Sequence, residues 1–201
     1  MFLVSKCIFT NDKQRYLFMY NIKKGKILIS VPSLNDDTFF KSVILLTHHS
    51  EDESIGLIIN QPTTILLCEV LKNVPKSDFP LYIGGPVEQN KIQYIHTLGD
   101  SIPNSIKIID GLYWGGDFNR VLKLILMNKL TRYQIRFFAG YSGWDHNQLN
   151  LEIKDRSWIV NDIDVNTCMN YSNNQLWTNL IKVKKSNYAI WANMPKDPNM
   201  N

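Results

Sequence analysis

The sequence has few cysteines, no long apolar segment and little net charge. Its three cysteines lie far apart and form no Cys-x-x-Cys pair, so we expect neither a disulfide framework nor a zinc knuckle. Free thiols are typical of a reducing cytoplasm, which predicts a cytoplasmic protein. No uncharged apolar run approaches the roughly 20 residues that a membrane helix requires. Met1–Val4 is followed by Ser5 and Lys6, so this run is too short for a signal peptide.

The charge is also nearly balanced, with 22 basic and 18 acidic residues giving a net charge of +4. The helix predicted over residues 118 to 130 carries only Arg120, Lys123 and Lys129 as basic groups. These are too sparse for the phosphate neutralisation that dominates DNA affinity. A helix-turn-helix, a basic arm and an aromatic RNA platform are not recognisable either, so direct nucleic-acid binding is disfavoured.

Short apolar runs and amphipathic stretches alternate along the chain. Val43–Leu46 and Leu57–Ile59 are continuous branched apolar runs, which predict strands covered on both faces. Phe118–Leu126 carries an apolar stripe after Asp117, which predicts a helix with Asp117 as its N-cap. A second helix is predicted over Leu67–Val74, capped by Thr63 or Thr64. This alternation predicts a single α+β or α/β domain.

The most informative segment is Phe138–Trp144, followed by Gln148 and Leu149. It predicts a buried strand that breaks on glycine, turns through aromatic residues and enters a helix. Asp145 and Gln148 have the spacing of a capping box, and a recognition role for Gln148 is an equal alternative. A second glycine segment, Gly84-Gly85-Pro86, favours a tight turn between strands over a ligand cradle, because proline has no N–H to donate.

Catalytic and metal-binding interpretations are disfavoured by geometry. Ser142 lacks the glycine two residues later that a nucleophile elbow requires, since Trp144 stands there. His48 and His49 would point to opposite faces of a strand, so they could not easily share an ion. The acids at 51–53 are better explained as a solvated hairpin turn. No metal and no cofactor are therefore predicted.

Taken in order, the motifs resemble those of the bacterial AlgH/YqgE family. The residues that carry the resemblance begin near Gly25 and are Leu28-Ile29-Ser30 with Pro32-x-Leu34, Phe39, Val43–Leu46, Gly56–Asn60 with Pro62, Gly84–Val87, Gly140–Trp144 and Gln148-Leu149-x-x-Glu152. Tyr113–Phe118 and Asn193–Pro198 are similar to the branch found in Bacteroidetes-type bacteria. The resemblance predicts an N-terminal extension over residues 1–24 and an AlgH/YqgE-like domain over 25–201.

The resemblance implies a compact α+β domain with a bent mixed β-sheet flanked by helices. It implies no established biochemical function, although family members are often labelled transcriptional regulators. Members commonly carry a basic residue between Asn60 and Pro62, where this chain has Gln61. If the family binds an anion at that position, this protein should bind it less well.

We therefore predict a non-catalytic binding or regulatory protein with a protein or small-molecule partner. The predicted recognition surface consists of residues from several turns, provided that the fold brings them together: Asn60, Gly84, Gly85, Tyr141, Trp144 and Gln148. One alternative is a small-molecule enzyme that uses Ser142, Asp145 and His146. The other alternative is a transcriptional regulator that binds DNA directly. Trp144 distinguishes recognition from packing, because alanine at a core position would destabilise the protein.

Overall fold

In the part of the chain that the computed structural model describes, residues 22–32, 34, 36–169 and 175–183, ten strands form one sheet. The strands are β1 Ile27–Ser30, β2 Val43–His49, β3 Ser54–Ile58, β4 Pro62–Leu66, β5 Pro80–Ile83, β6 Val87–His96, β7 Ile106–Ile109, β8 Leu112–Trp114, β9 Ile135–Trp144 and β10 Trp158–Asn161. The α-helices in the same residues are α1 Leu67–Val70, α2 Phe118–Leu126, α3 Gln148–Lys154, α4 Val165–Met169 and α5 Leu176–Val183. A 3₁₀ helix covers Gly99–Ser101.

The long strand β9 organises the sheet. The main path runs β10-β1-β2-β3-β9-β6-β8-β7, and its neighbouring strands are antiparallel. The strand β5 pairs with β9 in parallel and with β4 antiparallel. The sheet is therefore mixed, and β9 contacts strands from both halves of the molecule.

The sheet bends until its β7 edge returns to the turn before β1. Lys24 Nζ donates a hydrogen bond to the Lys107 carbonyl at 3.0 Å. A Cβ added to Gly25 would lie 2.2 Å from Ile109 Cγ2, so only glycine allows this close approach. The expected α+β domain with a bent mixed sheet and flanking helices is confirmed.

Three apolar clusters cover the faces of the bent sheet. The central one packs α4 and α5 against β1, β2 and Phe138. A second packs α1 and α2 against Phe137 and neighbouring residues. The third packs α3 against β1, β2, β3, Trp144 and Trp158. Because Phe137 and Phe138 point to opposite faces of β9, that strand joins two of the clusters.

The helix cap predicted beside Pro62 is wrong. Proline begins the short edge strand β4, a position where its missing N–H costs no ladder bond. Thr63 and Thr64 therefore lie in a strand and do not cap a helix. The helix α1 begins at Leu67, where the Glu69 carboxylate accepts the Leu66 N–H at 2.6 Å.

The expected break at Gly140 is also wrong, because β9 continues to Trp144. Gly140 has a φ of +69°, and opposite it the partner strand β6 bulges instead. The helix α3 begins at Gln148 rather than at Asp145, after Asn147 in the left-handed conformation. The cap that the sequence predicts for α2 is confirmed, since Asp117 Oδ1 accepts N–H bonds from Asn119 and Arg120.

Some predictions lie outside the described residues. These are most of the extension over residues 1–24, the tail motif over residues 193–198, and Tyr188–Ala192, a run that the sequence pattern predicts as a final strand.

Candidate functional site

Two glycine segments cross at the centre of the candidate site. A Cβ on Gly84 would lie 2.2 Å from the Gly140 carbonyl oxygen, and a Cβ on Gly85 would lie 2.3 Å from the Tyr141 carbonyl oxygen. The Gly84 carbonyl accepts hydrogen bonds from the Ile58 N–H at 3.0 Å and from Ser142 Oγ at 3.2 Å. These glycines allow two backbones to touch, and their polar groups are used inside the protein.

Beside this crossing, β6 carries an exposed four-residue bulge, Glu88–Lys91. Val87 pairs with Tyr141 and Ile92 pairs with Ala139, so the bulge lies opposite Gly140 alone. All four residues of the bulge are exposed, and Glu88 has a φ of +50°. A Cβ on Gly140 would lie 2.5 Å from the Val87 carbonyl oxygen. The bulge thus depends on glycine at position 140.

The bulge has a defined arrangement of charge. Lys91 Nζ donates to Glu88 Oε1 at 2.6 Å, and this hydrogen bond raises the pKa of Lys91. Gln89 Nε2 donates to the Gly85 carbonyl at 3.4 Å. The half-buried Tyr141 packs against the central cluster, directly across the ladder from Val87. Tyr141 and the bulge form one surface above the buried Gly85, and we call these residues together the glycine corner.

Trp144 lies in the core. Its side chain is 3% exposed, and its ring meets the Trp158 ring edge to face at 6.0 Å. Both indole N–H groups donate to Glu152 Oε2, at 2.8 Å from Trp144 and 2.7 Å from Trp158. The exposed Gln148 donates its amide to the other carboxylate oxygen of Glu152 at 2.9 Å. We call these four residues the indole clamp.

Gln148 forms half of the predicted capping box. Its Oε1 accepts the Asp145 N–H at 3.1 Å, but the Gln148 N–H donates to the Asp145 main-chain carbonyl at 3.0 Å rather than to the Asp145 carboxylate, as a capping box requires. Gln148 therefore has structural partners through both ends of its amide.

Asn60 also uses both ends of its amide within the fold. Its Oδ1 accepts the Val43 N–H and its Nδ2 donates to the Lys41 carbonyl, each at 2.8 Å. Gln61, which follows Asn60, donates its amide to Ser42 Oγ at 2.8 Å. Of the six predicted residues, the structure brings together Gly84, Gly85 and Tyr141, and places Trp144 with Gln148 in the indole clamp.

The nucleophilic atoms of Ser142 and Cys168 are buried. Ser142 is fully buried and donates to the Gly84 carbonyl. Burial raises the pKa of the Cys168 thiol to about 12, despite an opposing effect of the Arg136 charge, so the reactive thiolate is scarce at neutral pH.

The serine–histidine pair Ser105 and His96 has hydrogen-bond geometry, with 2.9 Å between Ser105 Oγ and His96 Nε2. However, the Leu98 N–H donates to His96 Nδ1 at 3.2 Å, so in the neutral ring Nδ1 is the acceptor and Nε2 carries the proton. A protonated Nε2 donates to the Gly115 carbonyl at 3.1 Å and cannot take a proton from Ser105. The pair is therefore structural.

Sequence reasoning missed the buried Arg136. Its Nη2 donates to the Ile59 carbonyl at 2.7 Å, its Nη1 donates to the Cys168 carbonyl, and its guanidinium lies 4.0 Å from the centre of the Tyr82 ring. A single charge within the apolar run of β9 was the available signal. Its contacts join β9 to the ends of β3 and α4, which are distant in sequence.

The histidines near the β2–β3 turn do not converge. His49 Nδ1 lies 2.8 Å from Ser54 Oγ, whereas His48 Nε2 lies 3.8 Å from Glu53 Oε1. Burial and the neighbouring His48 lower the pKa of His49. Among the described residues, no group of three or more His, Cys, Asp or Glu side chains could hold a metal ion. No helix in this part of the chain is long and apolar enough to cross a membrane.

The fold and the candidate site together define a class of protein. It is a single α+β domain in which glycine and aromatic motifs build a strand crossing. Residues 27–189 match the family model described as AlgH-like (DUF179). A UPF0301 protein of Bacteroides thetaiotaomicron is 43% identical over 180 residues, covering 89% of this chain and 91% of the relative. A UPF0301 protein of Chlorobaculum tepidum is 34% identical and covers 90% and 96% of the two chains. The chain belongs to the AlgH-like UPF0301 family.

Two solved structures share the fold. The crystal structure of protein DIP2367 from Corynebacterium diphtheriae matches with a TM-score of 0.70 at 19% identity, covering 88% of this chain and 97% of that one. The solution structure of AlgH from Pseudomonas aeruginosa matches with a TM-score of 0.68 at 23% identity, covering 87% and 95%.

Proposed function

We propose that this chain is a non-catalytic, cytoplasmic binding protein with a regulatory role, and that the glycine corner is its recognition surface. The observation that carries the proposal is the exposed Glu88–Lys91 bulge, which the fold maintains despite the left-handed backbone of Glu88. Bulges and residues in sparsely populated backbone conformations concentrate at functional sites.

The internal use of the candidate catalytic groups supports a non-catalytic role. Ser142 and Cys168 are buried, and His96 presents a proton rather than a lone pair to Ser105. Each of these groups therefore lacks either access to a substrate or the protonation state that nucleophilic catalysis requires. The unpaired thiols of Cys68 and Cys168 support a location in a reducing compartment.

The composition of the glycine corner favours a polar partner. The charges of Glu88 and Lys91 are paired, and Gln89 and Asn90 beside them offer amide donors and acceptors. Tyr141 adds an aromatic ring with a polar end, a combination common at protein interfaces. In this proposal the buried Gly84 and Gly85 contribute by letting the two backbones cross beneath the bulge, whereas Asn60, Trp144 and Gln148 belong to the scaffold.

A charge-reversal pair tests the proposal. Lys91→Glu changes the glycine corner, and Lys107→Glu is the matched control, because each lysine is exposed and bonded to an acid three positions away. Tagged proteins would be used to capture partners from the native cytoplasm, with proteins and metabolites quantified by mass spectrometry. We expect a partner of the wild type to be lost with Lys91→Glu and retained with Lys107→Glu.

Equal capture by both variants would overturn the proposal. A second experiment measures binding of the purified chain to duplex DNA at several salt concentrations. If regulation acts through a captured partner, we expect no salt-dependent binding. Tight binding at low salt that weakens as salt is added would favour direct DNA recognition instead.

A further inference from the structure

His96 is a fully buried imidazole at the end of β6, opposite the end that carries the bulge. It joins two segments that are separate in sequence. Its Nδ1 accepts the Leu98 N–H at 3.2 Å, and its Nε2 lies 3.1 Å from the Gly115 carbonyl and 2.9 Å from Ser105 Oγ. The ring thus holds both the loop over residues 98–105 and the Gly115–Gly116 turn before α2.

The partners of His96 fit a neutral ring with its proton on Nε2. A main-chain N–H can donate only to an unprotonated Nδ1, and a carbonyl can accept only from a protonated Nε2. Ser105 Oγ in turn donates to the Ile102 carbonyl at 2.7 Å, so it can accept the Nε2 proton. Every polar atom of the imidazole therefore has a partner in one protonation state.

In the described part of the chain, the surroundings offer no acidic partner for a positive ring. Tyr113 stacks on the imidazole at 5.7 Å, and Ile135 lies opposite His96 on β9. Tyr94, tilted against the ring at 6.1 Å, donates its hydroxyl to the Gly116 carbonyl, and burial together with the Asp117 charge raises the pKa of Tyr94 to about 12.

The charged groups on the adjoining elements have other partners or face solvent. Asp117 caps α2, Arg120 Nε donates to the Ser101 carbonyl at 3.2 Å, and Asp100 is exposed on the 3₁₀ helix. Among the described residues, no carboxylate hydrogen-bonds to His96.

We propose that His96 is an acid-sensitive latch that fastens the 98–105 loop and the Gly115–Gly116 turn to the sheet only while its ring is neutral. A proton on Nδ1 would remove the acceptor of the Leu98 N–H and place two donors face to face. It would also place a charge in an apolar site, which is costly unless that charge is paired. Opening the loop gives the charged ring access to water.

The direction of the pH dependence follows from linkage. Burial lowers the pKa of His96, and the hydrogen bond to the Gly115 carbonyl opposes this only in part. In the open form the ring takes up its proton near its ordinary pKa of about 6.5. Below that pH the open form binds more protons, so the opening equilibrium rises by up to about tenfold per pH unit until the closed form also titrates. Above about pH 6.5 the opening does not depend on this group.

Amide hydrogen exchange tests the latch directly. Protection factors of Leu98, Ile102 and Asp117, corrected for intrinsic exchange, would be measured from pH 7.5 to pH 5 in the wild type and in His96→Gln. Glutamine retains an N–H donor and cannot titrate. We expect protection in the wild type to fall by up to tenfold per pH unit below about 6.5, and protection in His96→Gln to be flat with pH.

The control is His49→Gln, since His49 also has a lowered pKa but lies at the end of β2. It should behave as the wild type does. The latch would be overturned by pH-independent protection in the wild type, or by the same acid-induced opening in His96→Gln. If His96→Gln fails to fold, nitrogen-15 shifts of the wild-type imidazole decide: at pH 7.5 the proton should be on Nε2, and a proton on Nδ1 would contradict the proposal.

Discussion

The glycine and aromatic motif at the end of β9 has two halves that lie in different environments. Gly140 lies opposite the Glu88–Lys91 bulge, where four consecutive side chains are exposed, and Tyr141 pairs with Val87 beside it. Trp144 begins the other half, and its indole donates inward to Glu152 beside the buried Trp158. Both halves belong to the same sequence pattern, yet the glycine half lies beneath an exposed surface and Trp144 is packed in the core.

The difference shows how hydrogen bonding distinguishes recognition from packing. In the indole clamp, the two oxygens of Glu152 accept from three side chains, so its donors and acceptors are matched internally. In the bulge, the amide of Asn90 and the charged ends of Glu88 and Lys91 lie in solvent. A motif can therefore identify a family while only part of it is free to bind.

The largest effect should come from the core half. Trp144→Ala removes a buried indole and leaves a cavity, so we expect the free energy of unfolding to fall by about 3–5 kcal/mol. Urea denaturation measures this loss. Trp144→Phe is the matched control and should cost less, since it keeps a ring and loses the bond to Glu152. An unchanged midpoint for Trp144→Ala would place that side chain outside the core.

The strand crossing should be nearly as sensitive. Gly85→Ala puts a Cβ 2.3 Å from the Tyr141 backbone, which cannot move away as a flexible side chain could. We expect a loss of about 3 kcal/mol, at the upper end for a single substitution. Gly115→Ala is the control, because a Cβ there meets nothing within 4 Å and adds only the strain of a positive φ, about 1 kcal/mol. Equal losses of stability in the two variants would mean that Gly85 is needed for its backbone conformation and not for the close approach of the two backbones.

The indole clamp should respond to loss of its acceptor. Glu152→Ala leaves the N–H groups of Trp144 and Trp158 without a partner in a buried setting, which we expect to cost about 2 kcal/mol. Gln148→Ala removes an exposed donor to the same carboxylate and should cost less. Thermal unfolding of the two variants compares them, and a larger loss for Gln148→Ala would contradict the proposed role of Glu152.

The smallest effect on stability should come from the surface half. Lys91→Glu changes an exposed ion pair, and such pairs contribute little to stability. We expect its thermal midpoint to match that of the wild type, while partner capture is lost. A clear drop in the midpoint would show that the bulge is part of the packed structure.

The features that local sequence patterns predicted were those that depend on neighbouring residues. The apolar run Val43–Leu46 forms part of β2, and Asp117 caps α2, as predicted. Both features could be predicted because burial on both faces and helix capping each depend on a few consecutive residues. The β4 edge strand is missed because Thr63 and Thr64 also have the composition of helix caps, whereas proline is tolerated at the first residue of an edge strand.

The candidate site was harder to predict because its contacts join distant segments. Gly85 is required by the Tyr141 backbone, Gly140 is required by the carbonyls of Val87 and Gly85, and the bulge exists only through pairing of β6 with β9. Likewise, Arg136 is held by carbonyls 77 and 32 residues away. Trp144 could be recognised as the deciding residue, but its burial depends on α3 and Trp158 together.

The most direct test of the division between surface and core measures unfolding and partner capture on the same two variants. We predict that Lys91→Glu unfolds at the same urea concentration as the wild type and captures no partner. We predict that Trp144→Ala loses about 3–5 kcal/mol of stability. The account would be contradicted if Trp144→Ala kept wild-type stability and lost the partner while Lys91→Glu still captured it.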